Sequence, residues 1–184
     1  ISDLIRNDFA IEDIEVRVLP IQSVGVQGDE RTYRHPVALF TSLRDWKQFE
    51  KISTAITNRF TDVNRVMLVL KGDVGDFNIK KSDINAKRVE LLQKVDDTVN
   101  KIMVKAPENY GIWQFPVVLI PTSTKAESES IVLRPIVSTE AMTASFAEID
   151  WKVVDELVEQ ISGDNISHIF YDLTHKPPGT IEWE

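Results

Sequence analysis

Residues 176–184 read Lys-Pro-Pro-Gly-Thr-Ile-Glu-Trp-Glu, which places a lysine, two glutamates and a tryptophan close together at the end of the chain. Side chains of these types can hold a polar ligand. An ammonium is a mobile point charge for an anion, and carboxylates accept from hydroxyl and N–H groups. A terminus is ordinarily the loosest part of a domain. Here two adjacent prolines fix φ and leave fewer states to lose on ordering. Such a stiffened, charged tail with an aromatic anchor is suited to completing a site. The plainer reading is a strand end followed by a solvated segment.

A second polar cluster, Gly28-Asp29-Glu30-Arg31, sits at a turn signal between two apolar stretches. Its counterpart later in the chain is Ala126-Glu127-Ser128-Glu129, and Glu127 and Glu129 there read as a solvated acidic face. Complete catalytic motifs are missing. There is no glycine-rich phosphate loop ending in Lys-Ser or Lys-Thr, no paired-glycine dinucleotide fingerprint, no His-Glu-x-x-His and no Gly-x-Ser-x-Gly. His35, His168 and His175 fall into no metal-ligand spacing and read as structural or surface histidines. With no cysteine, the chain has no disulfide, thiolate metal site or cysteine nucleophile, a usage that fits the cytoplasm. The chemistry legible here is ligand holding; no catalytic or metal-binding residue is assigned.

The elements that position these groups fall into two similar runs. Residues 16–26 and 34–40 read as paired strands. Trp46, Phe49, Ile52, Ile56 and Phe60 recur at helical spacing, and 64–71 is a compact strand. Residues 71–81 read as a surface connection. Leu92, Val95, Val99 and Ile102 then mark a helix that Pro107 stops. The pattern repeats with strands over 115–121 and 130–137 joined by a polar loop, a helix through Trp151, Val154, Leu157 and Ile161, and a last strand over 167–172. Asp45-Trp46-Lys47 and Asp150-Trp151-Lys152 stand at equivalent helix starts, each aspartate placed to cap. With residues 1–9 as a helix, each half reads helix–strand–strand–helix–strand. The expected fold is α+β: two tandem α-β-β-α-β modules, 1–81 and 82–184, with mainly antiparallel sheets packed together.

The 184 residues suffice for a real core, and 42% hydrophobic with 27% charged residues is the composition of an ordinary globule. No apolar run approaches the roughly 18 residues that span a bilayer. A net charge of −8 speaks against sequence-independent nucleic-acid binding, which needs a basic stripe. It leaves room for a small anionic ligand. Beginning at Ile1 with no signal-type segment, the chain reads as a piece of a longer protein.

Three stretches resemble one family. Residues 18–33 (Val-Leu-Pro-Ile-Gln-Ser-Val-Gly-Val-Gln-Gly-Asp-Glu-Arg-Thr-Tyr) are similar to the start of the C-terminal domain of the glutamine-hydrolysing GMP synthases. Residues 132–137 (Val-Leu-Arg-Pro-Ile-Val) with Met142-Thr143-Ala144 resemble that family's Leu-Arg-x-Val and Met-Thr-Ala stretch, and 171–184 resemble its C-terminal signature almost position for position. Roughly 90 residues separate Phe40 from Leu133 where the short form of the family has none. The chain therefore resembles the longer form with a duplicated module, as in animals. Glu140 stands where the family usually has aspartate.

The resemblance implies an enzyme of three parts: a glutaminase, an ATP-pyrophosphatase domain that adenylates XMP with ATP and Mg²⁺, and this terminal module. The nucleophilic cysteine of the first and the Ser-Gly-Gly-x-Asp-Ser loop of the second are not in this sequence. The fragment alone is then expected to be inactive and to hold no cofactor. Carried across, the XMP-binding residues are Asp29, Arg31, Gln114, Lys176, Ile181 and Glu182. Arg31 and Lys176 suit the phosphate, Glu182 ribose hydroxyls or base N–H groups, Asp29 the orientation of Arg31, and Ile181 the purine. The implied partners are XMP, the other two domains and a possible second copy, a monomer being favoured because fused halves can bury against each other. A purely structural dimerisation module and a stand-alone ligand-binding regulator are the alternatives.

Overall fold

A computed structural model describes residues 1–27, 30–106, 108, 110–125, 128–140, 142–163 and 165–183, the side chain of Gln27 excepted. In chain order the elements are α1 (Ser2–Phe9), β1 (Glu15–Val18), β2 (Ser23–Gln27), β3 (Glu30–Phe40), α2 (Trp46–Arg59), β4 (Val63–Lys71), β5 (Asn78–Ile79), α3 (Ala86–Lys105), β6 (Val117–Ile120), β7 (Thr122–Ser123), β8 (Glu129–Leu133), β9 (Ile136–Val137), β10 (Ser145–Phe146), α4 (Trp151–Ile161) and β11 (Ile166–Asp172). This is an α+β fold with mostly antiparallel strand pairs.

The main sheet runs β1-β3-β4-β11-β8-β6, with β2 paired to β3 off that path. The order reads alike from either end. β1 is antiparallel to β3, β3 parallel to β4, β4 antiparallel to β11, β11 parallel to β8, and β8 antiparallel to β6. The strands expected in two packed sheets thus join edge to edge in one. Edge pairing satisfies the backbone donors that β4 and β11 would otherwise leave open.

The expected 16–26 strand is two strands. Pro20, which has no N–H to give a ladder, lies in the break between β1 and β2. Pro135 interrupts the expected 130–137 strand in the same way, between β8 and β9. The 71–81 connection and the 122–129 loop are more ordered than their polarity suggests, since β5 pairs with β7 across them.

Strand alternation gives the sheet two unlike faces. On one, Val37, Leu39, Val66, Leu68, Ile131, Leu133, Ile169 and Tyr171 pack against apolar stripes from all four helices. The helix starts are capped as the sequence implies: Asp45 accepts from Gln48 N at 3.1 Å and Asp150 from Lys152 N at 2.8 Å. The tryptophans that follow those caps stack on each other, ring centroids 4.0 Å apart. On the other face, the cluster of Leu19, Ala38, Met67, Ile120, Val132 and Phe170 takes in no helical side chain among the described residues. Phe77 and Trp183 pack there instead, brought by the 72–77 connection and the C-terminal tail.

Candidate functional site

Three polar side chains stand on the second face among apolar ones. Arg65 shares its side of β4 with Met67, Arg134 follows Val132 beyond β8, and Asp172 follows Phe170 on β11. All three are fully buried. Asp172 Oδ2 accepts from Arg65 Nη1 at 2.9 Å and is ion-paired with Arg134 Nη1 at 2.8 Å, a nitrogen that donates to Thr174 O at 3.2 Å. It also accepts from Trp183 Nε1 at 2.9 Å, while Oδ1 accepts from the Thr174 backbone N–H at 2.9 Å. A carboxylate with this many donors is held ionised. Burial alone would raise its pKa, but Arg134 and Arg65 bring it below the ordinary aspartate value. Burial pushes the Arg65 guanidinium down to about 10 against the pull of Asp172, and Arg134 is lowered for the same reason. Both remain charged at neutral pH.

The two guanidiniums grip the tail by its main chain. Arg134 Nε donates to Ile181 O at 2.9 Å and its Nη2 to Thr180 O at 2.6 Å. Arg65 Nη2 donates to Thr180 O at 3.2 Å, Thr180 Oγ1 at 2.7 Å and Glu182 O at 2.8 Å. The Arg65 guanidinium also lies 4.7 Å from the Trp183 ring centroid, a cation–π contact that makes this indole the anchor its position suggests.

The tail is fixed to the hairpin as well. Val26 N donates to Pro178 O at 2.7 Å, Gly25 and Gly179 form an antiparallel bridge, and Thr180 Oγ1 donates to Val24 O at 3.2 Å. A glycine is required at 25: a Cβ there would stand 2.7 Å from Pro178 O and 2.8 Å from Asn64 Nδ2. The Lys176–Pro177 and Pro177–Pro178 peptide bonds are cis.

Within this frame, main-chain bridges place Gln114 and Lys176 beside residues that pack on Ile181. Gln114 bridges Ile136, Lys176 bridges Ala144, and Ile136, Ala144 and Ile181 form one small apolar cluster. Lys176 lines an open cleft of about 570 Å³ with Glu50, Ser138, Thr143, His175 and Pro177 among its walls. Glu182 is exposed beyond the clamp. Arg31 is exposed on β3 opposite Val26, the residue that holds Pro178, so main-chain pairing brings its backbone near the tail. Asp29 lies outside the described residues, as does Glu127. Ile181 is only 5% exposed and its carbonyl is taken by Arg134, so its side chain and carbonyl are both engaged within the chain.

The histidines divide as their lack of ligand spacing implies. His168 is buried between Ser167 Oγ at 3.0 Å and the Asp73 carbonyl at 2.9 Å, and burial lowers its pKa. His35 Nδ1 lies 3.0 Å from Leu19 O, and His175 lines the cleft 3.6 Å from Glu50. Glu129 corrects the expectation of a solvated acidic face. It is 6% exposed and takes two hydrogen bonds from Arg88 Nε, at 3.0 and 2.9 Å. The reason is that β8 is an interior strand and Arg88 on α3 reaches over to neutralise it. Trp113 is 47% exposed.

Sequence reading missed the buried Arg65–Asp172–Arg134 cluster as a unit. The available signal was an arginine interrupting each of two otherwise apolar strand segments, since a charge buried in a sheet demands a partner. What it did not carry was that both partners meet on one aspartate.

Comparison with known proteins adds the following. Residues 100–183 match the sequence profile of the family described as GMP synthase C terminal domain. A protein of Leptospira interrogans described as a probable GMP synthase [glutamine-hydrolyzing] is 41% identical over 172 residues, covering 91% of this chain and 28% of that protein. One of Caenorhabditis elegans with the same description is 34% identical over 199 residues, covering 93% of this chain and 27% of its own length. The GMP synthase [glutamine-hydrolyzing] of Thermobifida fusca is 35% identical over 112 residues, 55% of this chain and 21% of that protein. The chain thus spans little more than a quarter of the curated relatives that match it along most of its length. Over residues 100–183, the chain is thus similar to the GMP synthase C-terminal domain family.

Proposed function

We propose that this chain is the C-terminal part of a cytoplasmic, glutamine-hydrolysing GMP synthase, and that it completes the site for XMP. The whole enzyme converts XMP, ATP and glutamine-derived ammonia to GMP, AMP and pyrophosphate. ATP and Mg²⁺ are assigned to the ATP-pyrophosphatase domain and ammonia release to the glutaminase domain. Among the described residues, no three acidic or imidazole side chains converge as a metal site.

The observation that carries this reading is the docking of the tail on the hairpin, Val26 N to Pro178 O at 2.7 Å, with Lys176 on a cleft wall beside it. It joins the two segments whose sequences resemble the family's ligand-holding ones. In this reading Lys176 and Arg31 meet the phosphate, Glu182 and Gln114 accept from or donate to the nucleoside, and Asp29 orients Arg31. Ile181 acts through where its backbone lies, its side chain being engaged with Ile136 and Ala144. The chain provides no nucleophile. Its contribution is to hold XMP in place and to keep water from the adenylated intermediate until ammonia arrives.

The tandem organisation, 1–81 and 82–184, belongs to the same proposal. It is supported by a strand order that reads alike from both ends and by matched Asp-Trp-Lys helix starts. The extent of the relatives' matches agrees with it: 91% and 93% of this chain for two, 55% for another.

Lys176→Ala in the full-length enzyme tests the reading. Losing one charge-assisted contact worth about 1.5–3 kcal/mol should raise KM for XMP roughly tenfold or more, with KM for ATP unchanged. An unaltered XMP dependence would overturn it and leave a packing role for the domain.

A further inference from the structure

We infer that Arg65 and Arg134 are positioning residues for the nucleotide: they set where the last residues of the chain lie, and thereby where Lys176 and Glu182 stand against the ligand. The inference rests on the proposed XMP site and adds two residues that do not themselves touch the substrate.

The main chain carries the argument. Three consecutive carbonyls, of Thr180, Ile181 and Glu182, are each held by a buried guanidinium. Carbonyl contacts fix the backbone path and leave side chains free for other work, as the exposed Glu182 side chain is. The two arginines come from different halves of the chain, Arg65 on β4 and Arg134 after β8, and Asp172 between them locks both forks. Arg65 also reaches back to Val24 O at 3.2 Å, so one side chain registers the hairpin against the tail.

Charge points the same way. Two guanidiniums face one carboxylate in a site closed to water, leaving one positive charge in excess. Glu182 is the next anionic group whose field acts on both. Arg65 Nε is buried without a hydrogen-bond partner, an imperfection that a cluster built for stability alone would not need. A planar fork is essential to this geometry, because an ammonium at the same place cannot span neighbouring carbonyls.

Arg134→Lys in the full-length enzyme is the test, since it keeps the charge and loses the fork. The expected result is a rise of about tenfold in KM for XMP, with kcat, KM for ATP and glutaminase activity close to the parent. A merely structural role would lower kcat with the active fraction and leave KM for XMP in place, which would overturn the inference. Should Arg134→Lys fail to fold, Gly179→Ala replaces it. A Cβ there would lie 3.1 Å from Thr174 Cγ2, 3.2 Å from Arg65 Nη1 and 3.5 Å from Arg134 Nη2, shifting the tail without unpairing a buried charge. The same rise in KM for XMP is expected, and its absence would overturn the inference. If Lys176→Ala raises KM for XMP while these variants do not, the positioning role falls and the XMP site stands. If Lys176→Ala is also silent, both fall.

Discussion

Asp172 is the residue on which the second face turns, because three hydrogen-bond donors and a second guanidinium, drawn from three segments, meet on its two oxygens. Removing its charge would leave two buried guanidiniums facing each other. Breaking a buried pair in this way costs about 3–5 kcal/mol, and Asp172→Asn should lower the unfolding free energy by about that much in a urea titration. A loss under about 1 kcal/mol would show that the arginines find other partners. The pH dependence has a definite sign. The folded carboxyl sits below its ordinary value, so its stabilisation is complete above that value and is lost as pH falls through the lower, folded one. Sequence reading reached this scale unevenly. Lys176 and Trp183 were legible as ligand group and anchor because the proline pair singles out the tail. Ile181 was assigned to the purine, yet nothing in its type reveals that Ile136 and Ala144 surround it. Glu129 looked solvated because its neighbours in sequence are polar, whereas its burial is set by β11 on one side and Arg88 above.

At the scale of elements, the hairpin and the tail work as one unit through a contact that only glycine permits. Gly25→Ala would place a methyl 2.7 Å from the Pro178 carbonyl, and backbone cannot yield as a flexible side chain can. The variant should lose about 1–3 kcal/mol of stability, as overpacked sites do, and raise KM for XMP in the full-length enzyme. Parent-like values of both would mean that the tail and β2 separate freely. Helices were the legible elements here: periodicity located α2, α3 and α4, and the capping aspartates located two of their starts. Strands were less so. Pro20 and Pro135 mark the breaks ahead of β2 and β9, but an apolar run conceals them. The two-residue pair β5–β7 has no local signature, because its partners lie more than 40 residues apart.

Across the whole molecule, β4 and β11 form a seam between the two halves, pairing Met67 with Asp172, Leu68 with Tyr171 and Val69 with Phe170. The helices on the first face extend a single apolar cluster across that seam, from Phe49 and Ile56 to Val154 and Leu157. Trp46 reinforces it by donating to Ile149 O at 2.8 Å while stacking on Trp151. Unfolding should therefore be one cooperative transition, with calorimetric and van't Hoff enthalpies equal. Two separate transitions would mean that the halves are independent units. The sequence reads as two similar runs, but it does not say how such runs would join, since edge-to-edge pairing and face-to-face stacking ask for the same alternating pattern.

Hydrogen–deuterium exchange of the full-length enzyme, with and without saturating XMP, bears most directly on the claim that hairpin and tail together cradle the nucleotide. Slower exchange on XMP binding is predicted in both β2–β3 and the segment from Thr174 to Trp183, with β6 and α3 little changed. Exchange in both segments that XMP leaves untouched, while it still protects the ATP-pyrophosphatase domain, would contradict the account.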